Sequence, residues 1–194
     1  MLKINKTDIN GRSMIEMLGV LSVVGVLSMG GIAGYSKAMS VYRTNKLLDQ
    51  INSSIADTRD AYAEADSFSG FGKSIIIDFE LVPSSCLDYS ACTGTITTSC
   101  TKIKNAFGGN IWGDYSRNNS ELHNVVYLGF NDIPKEACIK AATMEFGDKY
   151  TRILINGPFS TGRNHPALWL SQISISQASE KCNQASNEIV FAFR

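Results

Sequence analysis

The chain has 194 residues, with 18 basic and 18 acidic side chains, two histidines and five cysteines. An even charge balance argues against a nucleic-acid module, which carries a basic stripe. The 44% hydrophobic and 19% charged fractions exclude wholesale disorder. The distribution along the chain is uneven. Residues 17–36 carry no charge at all, whereas the remainder is polar, rich in Asn and Ser, and contains every cysteine. A greasy N-terminal segment is therefore followed by a polar head.

Twenty uncharged residues in a helix rise about 30 Å, enough to cross the hydrocarbon core of a bilayer. The stretch from Met17 to Met29 is apolar around its whole circumference, a pattern that belongs in lipid or inside a close helix bundle. Gly19, Gly25, Gly30, Gly31 and Gly34 each cost about 1 kcal/mol relative to alanine in a soluble helix, but small residues let membrane helices approach closely. A secretory signal would have a shorter apolar core and a small-residue cleavage site after it; neither is present. Basic residues flank the span on both sides, Lys3, Lys6 and Arg12 before it and Lys37, Arg43 and Lys46 after it, so they leave its orientation open. Glu16 opens the apolar run. A carboxylate at that depth points to a functional site with a partner, whereas one at headgroup level is merely solvated.

The residues around it, Gly11-Arg12-Ser13-Met14-Ile15-Glu16-Met17-Leu18 after a short leader containing Lys3 and Lys6, resemble the class III leader of type IV prepilins and pseudopilins. The resemblance implies cleavage between Gly11 and Arg12 by a prepilin peptidase and N-methylation of Arg12. It also implies that Glu16 is the glutamate at the fifth position of the mature chain. Arg12 departs from the family, which usually has Phe or Met there. The chemistry is coherent: cleavage creates an α-ammonium a few residues before a carboxylate, and in a filament one subunit's carboxylate can neutralise its neighbour's ammonium. A buried charge stripped of its partner costs about 3–5 kcal/mol, which would set the axial register through Glu16.

Beyond Gly34 the helical pattern continues and becomes two-faced. Val41, Leu48, Ile51, Ile55, Tyr62 and Ala65 fall on one stripe, while Lys46, Asp49, Asp57, Arg59, Asp60 and Glu64 fall mainly off it. The stripe predicts a face that docks on the head; too few heptads are present for a sustained coiled coil. Ser67–Gly72 is expected to end the helix, giving a rod of roughly 80 Å from residue 14 to 66.

Residues 67–194 have the size of one small domain. Strand-like runs occur at 110–115, 124–130, 151–155 and 188–193. Helix-like segments occur at 134–142, opened by Pro134, and at 176–183, with Ser176 as a partial cap. Ser74–Phe79 reads as either strand or helix. The element order predicts an α+β head with a mostly antiparallel sheet.

Cys138 and Cys182 each fall in one of the short helices, and a bond between them would close a loop of about 45 residues, contributing on the order of 4 kcal/mol. Gly108-Gly109, the Ile133-Pro134…Cys138 helix start and a later cysteine before the last strand resemble the C-terminal part of type IVb and conjugative-type pilins. That resemblance implies a Cys138–Cys182 disulfide bounding a variable surface that includes residues 156–171. Cys86, Cys92 and Cys100 remain, and sequence does not fix pairings; a small loop using two of them, with one free thiol, is expected. Their spacings lack the Cys-x2–4-Cys form of a zinc site, and an exported chain favours disulfides over metal. His123 and His165 lie in no nucleophile motif. Gly108-Gly109 and Gly129 fit turns and strand ends better than a phosphate loop. Asn118-Asn119-Ser120 has the form of a glycosylation acceptor, a weak signal beside a bacterial-type leader.

The expectation is thus an α+β chain in three parts. These are a leader at 1–11, a long helix at 12–66 whose half at about 14–36 is the transmembrane and filament-core part, and a disulfide-bonded head at 67–194. It is expected to be a non-enzymatic pilus-like subunit without cofactor or metal, polymerising with itself. The resemblance implies the prepilin peptidase and pilus assembly machinery as partners, the bacterial inner membrane as the precursor's site, and a periplasmic or extracellular filament. A membrane-anchored envelope binding domain that never polymerises is the rival, and it would tolerate loss of Glu16.

Overall fold

The computed structural model describes residues 14–65, 67–115, 125–146, 152–157, 170 and 173–193. The chain divides into two compact units, with the division between Tyr42 and Arg43 inside one helix, α1, which runs from Met14 to Ala61.

In the first unit, every described residue up to position 38 is exposed, including Met14 at 86% and Leu27 at 69%. An 18-residue window of this helix is apolar enough to cross a membrane, and none of it is buried among the described residues. No proline interrupts the helix, so its backbone hydrogen-bond ladder can run unbroken.

In the second unit, residues 43–61 of α1 join a four-stranded antiparallel sheet in one core. The strands are β3 (Ile111–Tyr115), β4 (Val126–Ile133), β5 (Arg152–Ile155) and β6 (Asn187–Phe193), in the spatial order β3-β4-β6-β5. Their register sets Ile111, Phe130, Ile189 and Ile155 side by side, and Leu128, Phe191 and Ile153 in the next inward row. Alternation along each strand then directs these residues to one face, where they share a core with Leu47, Ile51 and Ile55 of α1. Phe130 and Phe191 pack edge-on at 6.0 Å, and the Arg59 guanidinium lies 5.3 Å from the Phe193 ring centre.

The helix ends five residues earlier than the expected position 66. Tyr62 to Glu64 form turns, closed by Ala63 N–H donating to Asp60 and Ala65 N–H to Tyr62. The Tyr62 ring meets Phe68 at 4.9 Å and Phe71 at 6.0 Å, and this aromatic contact turns the chain back onto the head. The expected stripe is also displaced. Leu47, Ile51 and Ile55 are buried alongside Thr44, Gln50, Ser54 and Thr58, whereas Val41 and Ala65 are exposed and Leu48 is only half-buried. Small or hydrogen-bonded polar residues serve this face: Gln50 accepts from Ala106 N–H at 2.9 Å, and Thr58 donates to the Ser54 carbonyl at 2.6 Å.

The ambiguous stretch at 74–79 is helical, as α2 (Lys73–Asp78). It packs beside β3, where a Cβ at Gly113 would lie 2.4 Å from the Phe71 ring and 2.6 Å from Ile76, so glycine permits the approach. A second, two-stranded sheet pairs β1 (Leu87–Asp88) with β2 (Lys102–Ile103). Helix α3 spans Lys135–Ala142 with Pro134 as its N-cap, one position outside the first turn. Helix α4 spans Ile175–Lys181 and is capped by Ser174 rather than Ser176. The Ser174 hydroxyl accepts from Gln177 N–H, and the Gln177 side chain accepts from Ser174 N–H, a reciprocal capping box. The predicted strands shift by one to three residues at their ends.

Candidate functional site

The candidate site of the first unit is the apolar surface of α1. Glu16 sits in its first turn, exposed, where a carboxylate also suits the positive end of the helix dipole. Gly11 and Arg12, where the leader resemblance implies cleavage and methylation, lie outside the described residues, as do His123, His165 and Asn118–Ser120. Gly19, Gly25, Gly30, Gly31 and Gly34 have no atom within 4 Å of where a Cβ would stand. Among the described residues nothing requires them to be glycine. Ser22 satisfies its hydroxyl by donating to the Gly19 carbonyl at 2.7 Å, so it adds no unpaired polar group to this surface.

The second unit is held by two disulfides. Cys138 of α3 is bonded to Cys182, the residue that caps α4, and both are fully buried. Around this bond lies a polar knot that sequence reading missed. Asn187 donates to the carbonyls of Ile133 (3.0 Å) and Gln184 (2.9 Å). Asn156 donates to the Lys181 carbonyl and to Asn187 Oδ1, both at 2.8 Å, and accepts from Glu188 N–H at 2.9 Å. Asn156 has a φ of 49°, a left-handed conformation that asparagine tolerates better than most residues. An asparagine at a strand end gives no periodic signal, so only the partners' positions reveal its role. Of the expected variable surface at 156–171, residues 158–169 and 171 lie outside the described residues.

Among the other three cysteines, Cys92 and Cys100 are bonded and Cys86 is free and buried. The bonded pair closes the loop between β1 and β2. At the base of that loop the Lys104 ammonium lies 2.8 Å from the Asp88 carboxylate. Hydrogen bonds from Lys104 and Ser90 hold the Asp88 carboxyl well below the usual carboxylate range. Burial pushes the Cys86 thiol up to about 11, against the opposing influence of Lys46 and of hydrogen bonds from Ser85 and Gln50. Gly108 and Gly109 form a turn whose N–H groups are taken by Asn105: Gly108 N–H donates to its carbonyl, and Gly109 N–H to its Oδ1. Gly108 has a φ of +90°, and a Cβ at Gly109 would stand 2.0 Å from the Asn131 carbonyl oxygen. These glycines therefore serve a turn and a close backbone approach. Among the described residues no group of three or more His, Cys, Asp or Glu side chains is placed to hold a metal ion.

A family model described as PilS N terminal matches residues 41–194. The major structural subunit of the bundle-forming pilus from Escherichia coli O127:H6 (strain E2348/69 / EPEC) is 25% identical over 143 residues, covering 74% of this chain and 68% of the relative. Its counterpart in E. coli O111:H- matches equally. In fold, the chain is similar to the type IV b pilin of Salmonella typhi, with a TM-score of 0.56 and 17% identity over 76% of this chain and 97% of that one. It is also similar to TcpA, a type IV pilin of Vibrio cholerae El Tor biotype, with a TM-score of 0.51 and 13% identity over 79% and 99% of the two chains.

Proposed function

Since the chain belongs to the type IV pilin family, of the IVb-like kind and with a PilS-type head, we propose that it is the structural subunit of a pilus-like filament and not an enzyme. The observation that carries this reading is the long apolar helix that accompanies that head, whose residues from Met14 to position 38 are all exposed among the described residues. Such a surface needs lipid first and neighbouring copies afterwards.

In this reading the precursor sits in the bacterial inner membrane through the apolar part of α1. A prepilin peptidase removes the leader after Gly11, and the new amine on Arg12 is methylated. The pilus assembly machinery then packs the helices of successive copies together, and the finished filament is extracellular. The α-ammonium of one copy meets the Glu16 carboxylate of its neighbour. In an apolar filament core each charge is tolerated only when paired, so a copy one step out of register leaves both uncompensated, at about 3–5 kcal/mol. Removal of the leader takes away Lys3, Lys6 and Asp8, and near-neutral subunits pack without strong mutual repulsion.

The test combines intact mass spectrometry of protein from its native cells with electron microscopy of sheared filaments from wild type and Glu16→Ala. A mature chain beginning at methylated Arg12, and loss or disorder of filaments in Glu16→Ala, are expected. A chain that keeps Met1 and forms no filaments would instead make this a membrane-anchored binding domain. Normal filaments from Glu16→Ala would remove the register role alone.

A further inference from the structure

Arg43, the first residue of the second unit, borders an open concavity of about 380 Å³ on the head. Lys104 and Asp88 line it beside the two-stranded sheet, and Leu87, Ala106 and Phe107 supply apolar wall. Asp88 is the one carboxylate among the described lining residues, and it is already paired. Its Oδ2 lies 2.8 Å from the Lys104 ammonium, and its Oδ1 accepts from Ser90 N–H at 3.0 Å. An ammonium has three N–H donors, so this pair fixes Lys104 in place without using it up. Arg43 is exposed, and its guanidinium is paired with no carboxylate among the described residues. Lys46, about one turn further along α1, acts electrostatically on the Cys86 thiol that lines the same concavity. Three cations against one carboxylate leave an excess of two positive charges. The turn below offers an anion no backbone donor. Asn105 N–H donates to the Gly109 carbonyl, Ala106 N–H to Gln50, and the N–H groups of Phe107 and Gly108 to Asn105. An anion here is therefore held by side chains, through the Lys104 ammonium and the Arg43 guanidinium, whose fork matches two phosphate oxygens.

We propose that this concavity binds the phosphate headgroup of an anionic phospholipid before the subunit joins a filament. Such contact presupposes the membrane-bound precursor proposed above. Distance along the chain favours a lipid as the source of the phosphate. Ser36 ends the uncharged run, and Arg43 follows seven residues later in the same helix, a rise of about 10 Å. The headgroup layer is roughly 5–8 Å deep on each side of the hydrocarbon, and a long arginine side chain closes the remaining gap. The lining favours a lipid too. Leu87, Ala106 and Phe107 are half-buried and suit the glyceride carbons beside a lipid phosphate, which a bare phosphate ion lacks. Basic side chains beside a membrane span are attracted to anionic headgroups in any case; here Arg43 and the anchored Lys104 share one concavity that selects the phosphate. The bound lipid holds the head to the bilayer surface, and entry into the filament has to break that contact.

The experiment uses the full chain in neutral detergent micelles, with native mass spectrometry counting bound lipid. Phosphatidylglycerol, phosphatidylcholine and inorganic phosphate are titrated separately. One phosphatidylglycerol per chain is expected, with the other two binding at least roughly tenfold more weakly, as losing a charge-assisted contact implies. Arg43→Gln should weaken phosphatidylglycerol binding by roughly tenfold on the same ground, and its fold should be unchanged because the side chain is exposed. Lys37→Gln removes a cation outside the concavity and should cost less than about fivefold, the share of a surface cation near anionic lipid. Inorganic phosphate binding as tightly as phosphatidylglycerol would overturn the lipid assignment. Equal losses in Arg43→Gln and Lys37→Gln, or none in either, would overturn the concavity as the site. Unchanged lipid binding in Arg43→Gln together with a lower filament yield would give the concavity to a carboxylate of a second copy instead. Alkaline carbonate extraction of native membranes checks the membrane stage separately. A chain released by carbonate would undo that reading and this one with it, whereas a chain retained in the membrane but indifferent to phosphatidylglycerol would undo the lipid site alone.

Discussion

Replacing Cys138 and Cys182 together by alanine tests how the head is held. That bond joins residues 44 apart in sequence, whereas Cys92–Cys100 joins residues only 8 apart. The loop entropy withheld from the unfolded chain is then about 4 kcal/mol for the first bond and about 2.5 kcal/mol for the second. Packing widens the gap. Cys138 and Cys182 are fully buried, so two alanines leave a small void worth about another 1 kcal/mol, while Cys92 and Cys100 are only half-buried. Urea unfolding of the full chain in detergent, followed by tryptophan fluorescence, should show a loss of about 5 kcal/mol for C138A/C182A and about 2.5 kcal/mol for C92A/C100A. Since a domain has only about 5–15 kcal/mol in total, the first variant should be close to unfolding at growth temperature. Equal losses, or the reverse order, would refute both the loop-length reasoning and the claim that the α3–α4 clasp is the head's principal staple.

Gly109→Ala should cost more than 2 kcal/mol in the same assay, because its Cβ meets the Asn131 carbonyl oxygen at 2.0 Å and backbone has to move. Asp88 has a carboxyl held below its ordinary value by Lys104 and Ser90, so its contribution is present above about pH 4 and is lost as pH falls through the folded value. Asp88→Asn should therefore lower stability at neutral pH, with the difference from wild type shrinking in strong acid; a constant difference would contradict the assignment. Gly30→Ala and Gly34→Ala meet no neighbour within 4 Å and should leave helicity by circular dichroism equal or higher, since alanine gains about 1 kcal/mol per site. Filament yield should nonetheless fall, and unchanged yield would mean that close helix approach does not use these positions.

The apolar span, the antiparallel sheet and the chain positions of its four strands were legible in the sequence, because hydrophobic runs and period-two alternation follow directly from burial; the spatial order β3-β4-β6-β5 was not. The docking face of α1 was legible only in part. Ile51 and Ile55 carry the expected signal, but Thr44, Gln50, Ser54 and Thr58 look like surface residues until their partners are known. The end of α1 was misplaced because a tertiary contact, Tyr62 against Phe68 and Phe71, decides it and no proline or glycine marks it. Cap identity at α4 turned on Gln177, which makes Ser174 the better cap than Ser176. The Cys92–Cys100 pairing required the β1–β2 ladder, whose strands are two residues each and too short to leave a pattern.

The two units place opposite demands on the same helix. Residues 43–61 are accounted for by their own head: Leu47, Gln50, Ile51 and Ile55 each have a partner in the core or a hydrogen bond. Residues 14–38 are all exposed among the described residues. If copies assemble as proposed, that segment exchanges lipid for neighbouring helices, one apolar environment for another, so little hydrophobic free energy is gained or lost. Association then depends on close packing and on polar terms. Glycines without a Cβ contact supply the first, by letting backbones approach. Glu16 supplies the second, since its carboxylate is the sole charge on residues 13–36. Strength of assembly and accuracy of register would thus reside in different residues. Glycine substitutions should lower yield while preserving filament order, and loss of Glu16 should disturb order itself.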